Sequence, residues 1–268
     1  MTLFTNIKSF DKSFLLKLWL SLILYQLSVC PVSAQKDTMD IKDYILIINT
    51  YTESFPWSNR LISTATNFVK DDPKLAVYTE HMNMIMIDND SILDQFKDSL
   101  FDRYGSHRPR MLLLLGNSSL ILKDDLRKMW GDIPMVLCAG KDYTGPEHYY
   151  LTKQPIPLSE RVPLAELSQS CNLTYLYANL YIHENVEMMF RTLPRMKRFI
   201  YVGDERFVNQ VNSQEIQEIL RTKHPDVHYT FLSSRDIKKT NQLIDSLNFV
   251  DPRTTGILFS SWFHKRQF

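Results

Sequence analysis

Polar and aromatic residues stand after several short apolar runs of the chain, where a parallel sheet would place them at one edge. In an open parallel sheet, ligands bind beyond the carboxyl ends of the strands, so these side chains are expected to face a common cleft between two lobes. Their amide, carboxylate and aromatic groups suit a small molecule, and both a sugar and an aromatic metabolite fit. The candidate ligand-binding residues are Asn49, Tyr51, Trp57, Glu80, Asn117, Asp204 and Trp262.

A purely structural role is also open to these residues. Serine, asparagine and aspartate that follow a strand often cap the next helix or close a turn. Large aromatic side chains are costly to leave exposed, so Tyr51, Trp57 and Trp262 either pack between lobes or stack on a ligand. The sequence leaves both roles open.

The motifs of common enzyme classes are missing from the sequence. It contains no HExxH, CxxC or GxSxG, and the elbow-like run 116–119 is followed by Leu120, where a second glycine would be needed. With seven glycines in the chain, neither a dinucleotide-binding fingerprint nor a phosphate loop occurs. The histidines lack the close pairing that metal sites show. We therefore expect no catalytic residues, no metal and no cofactor.

Short apolar runs alternate with longer amphipathic stretches along the chain. Runs of this kind are typical of parallel strands that are covered on both faces, and the alternation predicts an α/β fold with parallel sheets. The predicted strands are 44–48, 75–78, 111–115, 135–137, 199–202, 227–232 and 256–259. The predicted helices are 57–70, 91–104, 123–130, 185–193, 213–223 and 236–247, with Asp90, Asn212 and Ser234 as candidate caps.

The alternation is interrupted once, between residues 139 and 180. This stretch is rich in proline and contains only one short strand-like piece, 173–177. We interpret residues 146–180 as a connector between an N-terminal lobe, 35–145, and a C-terminal lobe, 181–268.

The first 34 residues have the layout of a signal peptide. Three lysines precede an apolar run from Leu18 to Val29, which is too short to cross a bilayer comfortably. Small residues at positions 32 and 34 predict cleavage after Ala34 and a periplasmic location. Lipidation at Cys30 is the rival interpretation, although valine precedes this cysteine and proline follows it.

The near balance of basic and acidic side chains limits the kinds of partner that we expect for this protein. The chain has 31 basic and 30 acidic side chains, and its short basic clusters lie beside apolar strand or helix residues. Nucleic acid is therefore not expected as a partner. Cys138 and Cys171 remain after cleavage, which excludes a disulfide framework. The sequence leaves a homodimer open.

Four stretches of the chain resemble the periplasmic N-terminal sensor of hybrid two-component histidine kinases from Bacteroides-type bacteria. The likeness covers nearly all of residues 41–263, and its order and spacing are more specific than any single motif. The stretches are YILIINTYTESFPW at 44–57, EHMNM at 80–84, YGSHRPRMLLLLGN at 104–117 and TGILFSSW at 255–262. By this resemblance, the fold is similar to type I periplasmic binding proteins, in which two α/β lobes close on a small molecule.

The resemblance implies a sensing role, with contact to the membrane only through a downstream region. Nothing after Trp262 resembles a membrane helix or a kinase module, so we expect sensing without kinase activity and a second lobe that is incomplete. The alternative is a free-standing periplasmic binding protein of a transporter. An exported enzyme is the most distant possibility.

Overall fold

The computed structural model describes residues 43–234 and 237–260. The predicted signal peptide and Trp262 lie outside these residues. The described chain is an α/β structure with two parallel sheets, which confirms the predicted fold class. Within the described residues, no helix combines the length and the apolar character needed to cross a membrane.

Every predicted strand is observed, with ends within three residues of the predicted ends, and two further strands of two residues each are not predicted. The strands are β1 (Asp43–Asn49), β2 (Leu75–His81), β3 (Met111–Leu115), β4 (Met135–Ala139), β5 (Tyr143–Thr144), β6 (Val162–Pro163), β7 (Leu173–Tyr177), β8 (Arg198–Val202), β9 (His228–Leu232) and β10 (Thr255–Phe259).

The helices lie between the strands, as right-handed crossovers of parallel sheets require. They are α1 (Pro56–Val69), α2 (Asp90–Tyr104), α3 (Lys123–Trp130), α4 (Glu147–Thr152), α5 (Leu164–Ser170), α6 (Ile182–Thr192), α7 (Phe207–Lys223) and α8 (Ile237–Ser246). Short 3-10 turns cover Asn117–Leu122, Leu158–Glu160 and Leu247–Phe249.

The first sheet has the strand order β2-β1-β3-β4-β7, and all its strands are parallel. Apolar clusters cover it on both faces, which explains why most of its strands are continuous apolar runs in the sequence. Leu46 and Leu114 are fully buried in the core on one face, whereas Ile47 and Leu115 pack towards α1 on the other. Burial of each such side chain stabilises the fold by about 1.5–3 kcal/mol.

The second sheet has the order β10-β8-β9 and is also parallel. Phe199 and Tyr201 of β8 are fully buried against Val186 of α6 and Ile216 of α7. On β10, an edge strand among the described residues, Ile257 and Phe259 remain 42% and 62% exposed. The incompleteness of this lobe stays a prediction.

Residues 146–180 are not a connector, which corrects the predicted lobe boundary. The segment supplies β7, the fifth strand of the first sheet, and buries Tyr150, Ile156 and Leu164 in the core of the N-terminal lobe. The elements α4, β6 and α5 are short and prolines interrupt the segment, so no helical or strand-like period is long enough to be recognised in the sequence. The N-terminal lobe therefore extends to β7.

Two of the predicted helix caps are also wrong. Helix α2 is capped by Asn89, whose side chain accepts a hydrogen bond from the Ile92 nitrogen at 3.1 Å, and Asp90 is its first residue. Helix α7 begins at Phe207 and not at 213. Asn212, predicted as a cap, is an interior residue of α7 that is buried against β8.

Candidate functional site

In each sheet the strand order reverses once, and the carboxyl ends of the two strands on either side of this reversal lie next to each other. In the first sheet the chain runs from β1 to β2 and then crosses to β3 on the other side of β1. In the second sheet it runs from β8 to β9 and crosses to β10. Ligands of open α/β sheets bind at such switch points, which here are the carboxyl ends of β1 and β3 and of β8 and β10.

Residues from both switch points line one cleft, which we call the interlobe cleft. It has a volume of about 360 Å³. Its N-terminal-lobe wall includes Tyr51, Phe55 and Trp57, and its C-terminal-lobe wall includes Tyr201, Arg206, Asn212 and Ser260.

A smaller pocket of about 80 Å³ adjoins the interlobe cleft and shares residues of both lobes with it, among them Tyr51 and Arg206. Asn117 and the first turn of α7 also line this pocket. The two cavities therefore meet at the Tyr51 and Arg206 side chains, one from each lobe.

Three aromatic rings form the wall on the N-terminal lobe. Tyr51 stacks on Phe55 with ring centroids 4.4 Å apart and meets Trp57 edge-on at 5.6 Å. The guanidinium carbon of Arg206 lies 5.2 Å from the centre of the Phe55 ring, so the wall also receives a cation from the other lobe. Burial raises the pKa of the Tyr51 hydroxyl, and the nearby Arg206 charge offsets this in part. Tyr51 therefore stays a neutral phenol at physiological pH.

Gly116 allows Tyr51 to lie close to the end of β3. Its φ angle is +94°, a conformation that side chains rarely adopt, and a Cβ atom there would lie 2.3 Å from Thr50 Oγ1 and 3.2 Å from the Tyr51 ring. Thr50 Oγ1 in turn donates to the Leu115 carbonyl at 2.8 Å. These contacts join the ends of β1 and β3 beneath the aromatic wall.

Asn117 lines the adjoining pocket, but its amide is already used by the loop after β4. The nitrogen donates to the carbonyls of Lys141 and Tyr143 at 2.8 and 2.9 Å, and the oxygen accepts from the Gly140 and Lys141 nitrogens at 3.0 and 3.2 Å. Asn117 thus shapes the pocket and leaves no polar atom over for a ligand.

Replacement of Asn117 with alanine is expected to lower the free energy of unfolding by about 1–3 kcal/mol, because buried backbone groups of the loop lose their partners. Urea denaturation of the variant measures this loss. Asn179→Ala is the matched control, since Asn179 is exposed and its side chain accepts only from the Tyr181 nitrogen in the described structure. Equal stability of the two variants would contradict the structural role of Asn117.

Asn49 lies below the cleft and positions Tyr51. It is fully buried, its oxygen accepts from the Tyr51 nitrogen at 3.2 Å, and its nitrogen lies 3.2 Å from Ser58 Oγ and 2.9 Å from His81 Nδ1. Asn49 is therefore a supporting residue of the site.

Glu80 does not join the other candidates. Strand β2 continues to His81, so Glu80 lies within the strand and not beyond its end as predicted. Its carboxylate accepts hydrogen bonds from Arg103 and, at 2.7 Å, from the Tyr104 hydroxyl of α2. These contacts assign Glu80 to the packing of α2 on the edge of the sheet.

Asp204 is buried at the end of β8 and organises the C-terminal-lobe wall. Its two carboxylate oxygens lie 2.8 and 2.9 Å from Arg206 Nε, and one of them accepts from the Asn209 amide at 2.9 Å. Only 1% of the Asp204 side chain is exposed. The residue therefore acts on the cleft through Arg206 and Asn209.

Two contacts between the lobes could not be predicted from local sequence. Lys141 Nζ lies 2.9 Å from the Glu215 carboxylate of α7, and only 12% of the lysine side chain is exposed. Phe207, at the start of α7, packs on Tyr150 of the N-terminal lobe with ring centroids 4.6 Å apart. Both contacts join residues far apart in the chain, and no local pattern marks such pairs.

A buried lysine fixes the loop on the far side of the adjoining pocket. Lys153 Nζ donates to the carbonyls of Met84 and Ile87 at 2.5 Å and to that of Tyr150 at 3.0 Å. The positive charge is thus surrounded by backbone acceptors, and the residue has a structural role at the pocket wall.

Of the predicted site residues, Tyr51 and Trp57 line the interlobe cleft, Asn117 lines the adjoining pocket, Asn49 and Asp204 support the walls, and Glu80 lies elsewhere. The described residues hold no group of three or more His, Cys, Asp or Glu side chains that could bind a metal ion. The arrangement offers aromatic surface, polar groups and enclosure between two lobes. No family model, curated protein or solved structure matches the chain.

Proposed function

We propose that this protein is the extracytoplasmic ligand-sensing domain of a two-component receptor of the hybrid histidine kinase type. The observation that carries the proposal is the interlobe cleft, on which the switch points of both parallel sheets converge. Its aromatic wall suits a small molecule with an apolar face. The likeness of the sequence to periplasmic sensor domains supports the same function.

Signalling would depend on the contacts that join the lobes. The Lys141–Glu215 ion pair, the Phe207–Tyr150 contact and the position of Arg206 over Phe55 all connect one lobe to the other. A ligand shifts such an equilibrium only if it binds one lobe arrangement more tightly than another. A molecule bound between Tyr51 and Arg206 would meet this condition, because these two lining residues belong to different lobes.

The proposal includes export to the periplasm with cleavage after Ala34, supported by the layout of residues 1–34. A transporter's free-standing binding protein is the second candidate, since the same cleft would serve it. A membrane helix and a kinase encoded in frame downstream would favour the sensor, and a neighbouring permease would favour transport.

The experiment is a ligand screen on the purified protein by thermal shift, with neutral sugars, polyols and amino acids as the probes. Compounds that raise the melting temperature are then tested by small-angle X-ray scattering. We expect at least one probe to bind and to reduce the radius of gyration, since closure makes a two-lobed molecule more compact. A binder that leaves the scattering profile unchanged, or the lack of any binder, would contradict the proposed function.

A further inference from the structure

A chain of hydrogen bonds runs from the buried Asp204 carboxylate to Asn212 and Ser260, two lining residues that we call the floor of the interlobe cleft, and it fixes the orientation of their polar groups. A carboxylate paired with arginine can only accept hydrogen bonds. The amide nitrogen of Asn209 must therefore face Asp204, at 2.9 Å, and its oxygen must face away. This orientation follows from chemistry, because the reverse would place an oxygen against a carboxylate.

The Asn209 oxygen then receives two hydroxyl donors. Tyr201 donates to it at 2.9 Å, and Ser260 donates to it at 2.9 Å. Both hydroxyl hydrogens are thereby used inside the protein. What Tyr201 and Ser260 can still offer is a lone pair on oxygen, so each can act as an acceptor.

Asn212 lies one turn further along α7 and completes the chain. Its amide nitrogen is directed at the Tyr201 hydroxyl oxygen at 3.4 Å, a long contact, and its Oδ1 atom is consequently turned the other way. The residue is 3% exposed, and Oδ1 is buried without a hydrogen-bond partner in the described structure. Asn212 lines the interlobe cleft, as does Ser260.

We propose that the floor of the interlobe cleft selects neutral ligands that donate hydrogen bonds, with Asn212 Oδ1 and Ser260 Oγ as the acceptors. The inference rests on the proposed function and specifies the class of ligand. A hydroxyl or an N–H group can donate to either acceptor, whereas a carboxylate or phosphate oxygen would face their lone pairs. The positive charge of Arg206 does not reverse this preference for neutral donors, because the Asp204 carboxylate, with both oxygens within 2.9 Å of Arg206 Nε, offsets that charge.

The first test needs no ligand. An unpartnered acceptor is costly when buried, so Asn212→Leu, which keeps a similar shape, is expected to leave the melting temperature unchanged or to raise it. Asn209→Leu is the matched control on the same helix, and it should lower the melting temperature because the bonds to Asp204, Tyr201 and Ser260 are lost. A drop for Asn212→Leu as large as that for Asn209→Leu would overturn the inference.

The second test measures binding of matched probes by isothermal titration calorimetry. The pairs are D-glucose and D-glucuronate, D-galactose and D-galacturonate, and glycerol and glycerate, which differ in one hydroxymethyl or carboxylate group. The neutral member of a binding pair should bind at least about tenfold more tightly than its acid, and Asn212→Leu should weaken it by about tenfold.

The inference would be overturned if an acid bound more tightly than its neutral partner, or if Asn212→Leu left the affinity for the neutral compound unchanged. Either result would leave the proposed function intact. Failure of every compound in this test and in the wider screen would contradict the proposed function. In that case the stability of Asn212→Leu alone still decides whether the acceptor is unpartnered.

Discussion

Replacing Asp204 with asparagine is expected to lower the free energy of unfolding by about 3–5 kcal/mol, the largest loss that we anticipate from a single polar substitution in this protein. Asp204 is almost fully buried and forms an ion pair with Arg206, whose side chain is only 12% exposed. Loss of the carboxylate leaves a guanidinium group in a poorly solvated position without its counter-charge.

The loss extends beyond the ion pair, because Asp204 also determines the orientation of its neighbours. The Arg206 backbone nitrogen donates to the same carboxylate at 3.0 Å, and so does the Asn209 amide. An asparagine would present an N–H group to at least one of these donors. We therefore expect the floor of the interlobe cleft to lose its fixed pattern of acceptors.

Chemical denaturation with intrinsic fluorescence measures the effect. The matched control is Glu218→Gln, which breaks the ion pair between Glu218 and Arg221 on the exposed side of α7. Those two side chains are 58% and 70% exposed, so water and salt screen their attraction and stability should not change measurably. Equal stability of Asp204→Asn and wild type would show that the buried pair is not needed for folding.

The sequence predicts the sheets because burial on both faces leaves a simple signal. Met111–Leu115 is a strand with the predicted ends, since five consecutive apolar residues between helical stretches fit only a covered parallel strand at that length. The predicted strand-like piece 173–177 also has the observed ends. Its membership of the first sheet was not foreseen, because the partner β4 lies across a proline-rich segment whose packing leaves no periodic pattern.

The site is less predictable, because its polar residues have mixed roles. Tyr51, two residues after β1, and Trp57, in the first turn of α1, reach the cleft as predicted. Asn212 has the residue type of a helix cap, yet α7 begins a turn and a half earlier and carries this asparagine inside the helix. The predicted position of Glu80 beyond the end of β2 is wrong, because β2 continues through polar residues of types that are common in loops. In each case the tertiary partner, and not the local preference, decides the position.

The second large effect is expected at the junction of the lobes, where Phe207 is the first residue of α7 but packs against the core of the other lobe. Its ring contacts Tyr150, which is fully buried in the N-terminal lobe, at a centroid distance of 4.6 Å. Phe207 thus connects α7, and with it the second sheet, to the first core. Truncation to alanine is expected to cost about 2–3 kcal/mol, less than for a fully buried phenylalanine because the ring is only partly buried.

The manner of unfolding should change as well as the stability. Phe207 and Glu215 of α7 and Arg206, which precedes the helix, all contact the N-terminal lobe. Loss of the Phe207 ring therefore weakens the coupling between the lobes. Calorimetry of wild type should give one cooperative transition, and that of Phe207→Ala a broader or divided one. Phe249→Ala is the matched control: the same atoms are removed from a side chain that is 89% exposed, so both the midpoint and the width should be preserved. If Phe207→Ala melts in one sharp transition at the wild-type temperature, other contacts hold the lobes together. The Lys141–Glu215 ion pair would then be tested next, with Lys141→Gln.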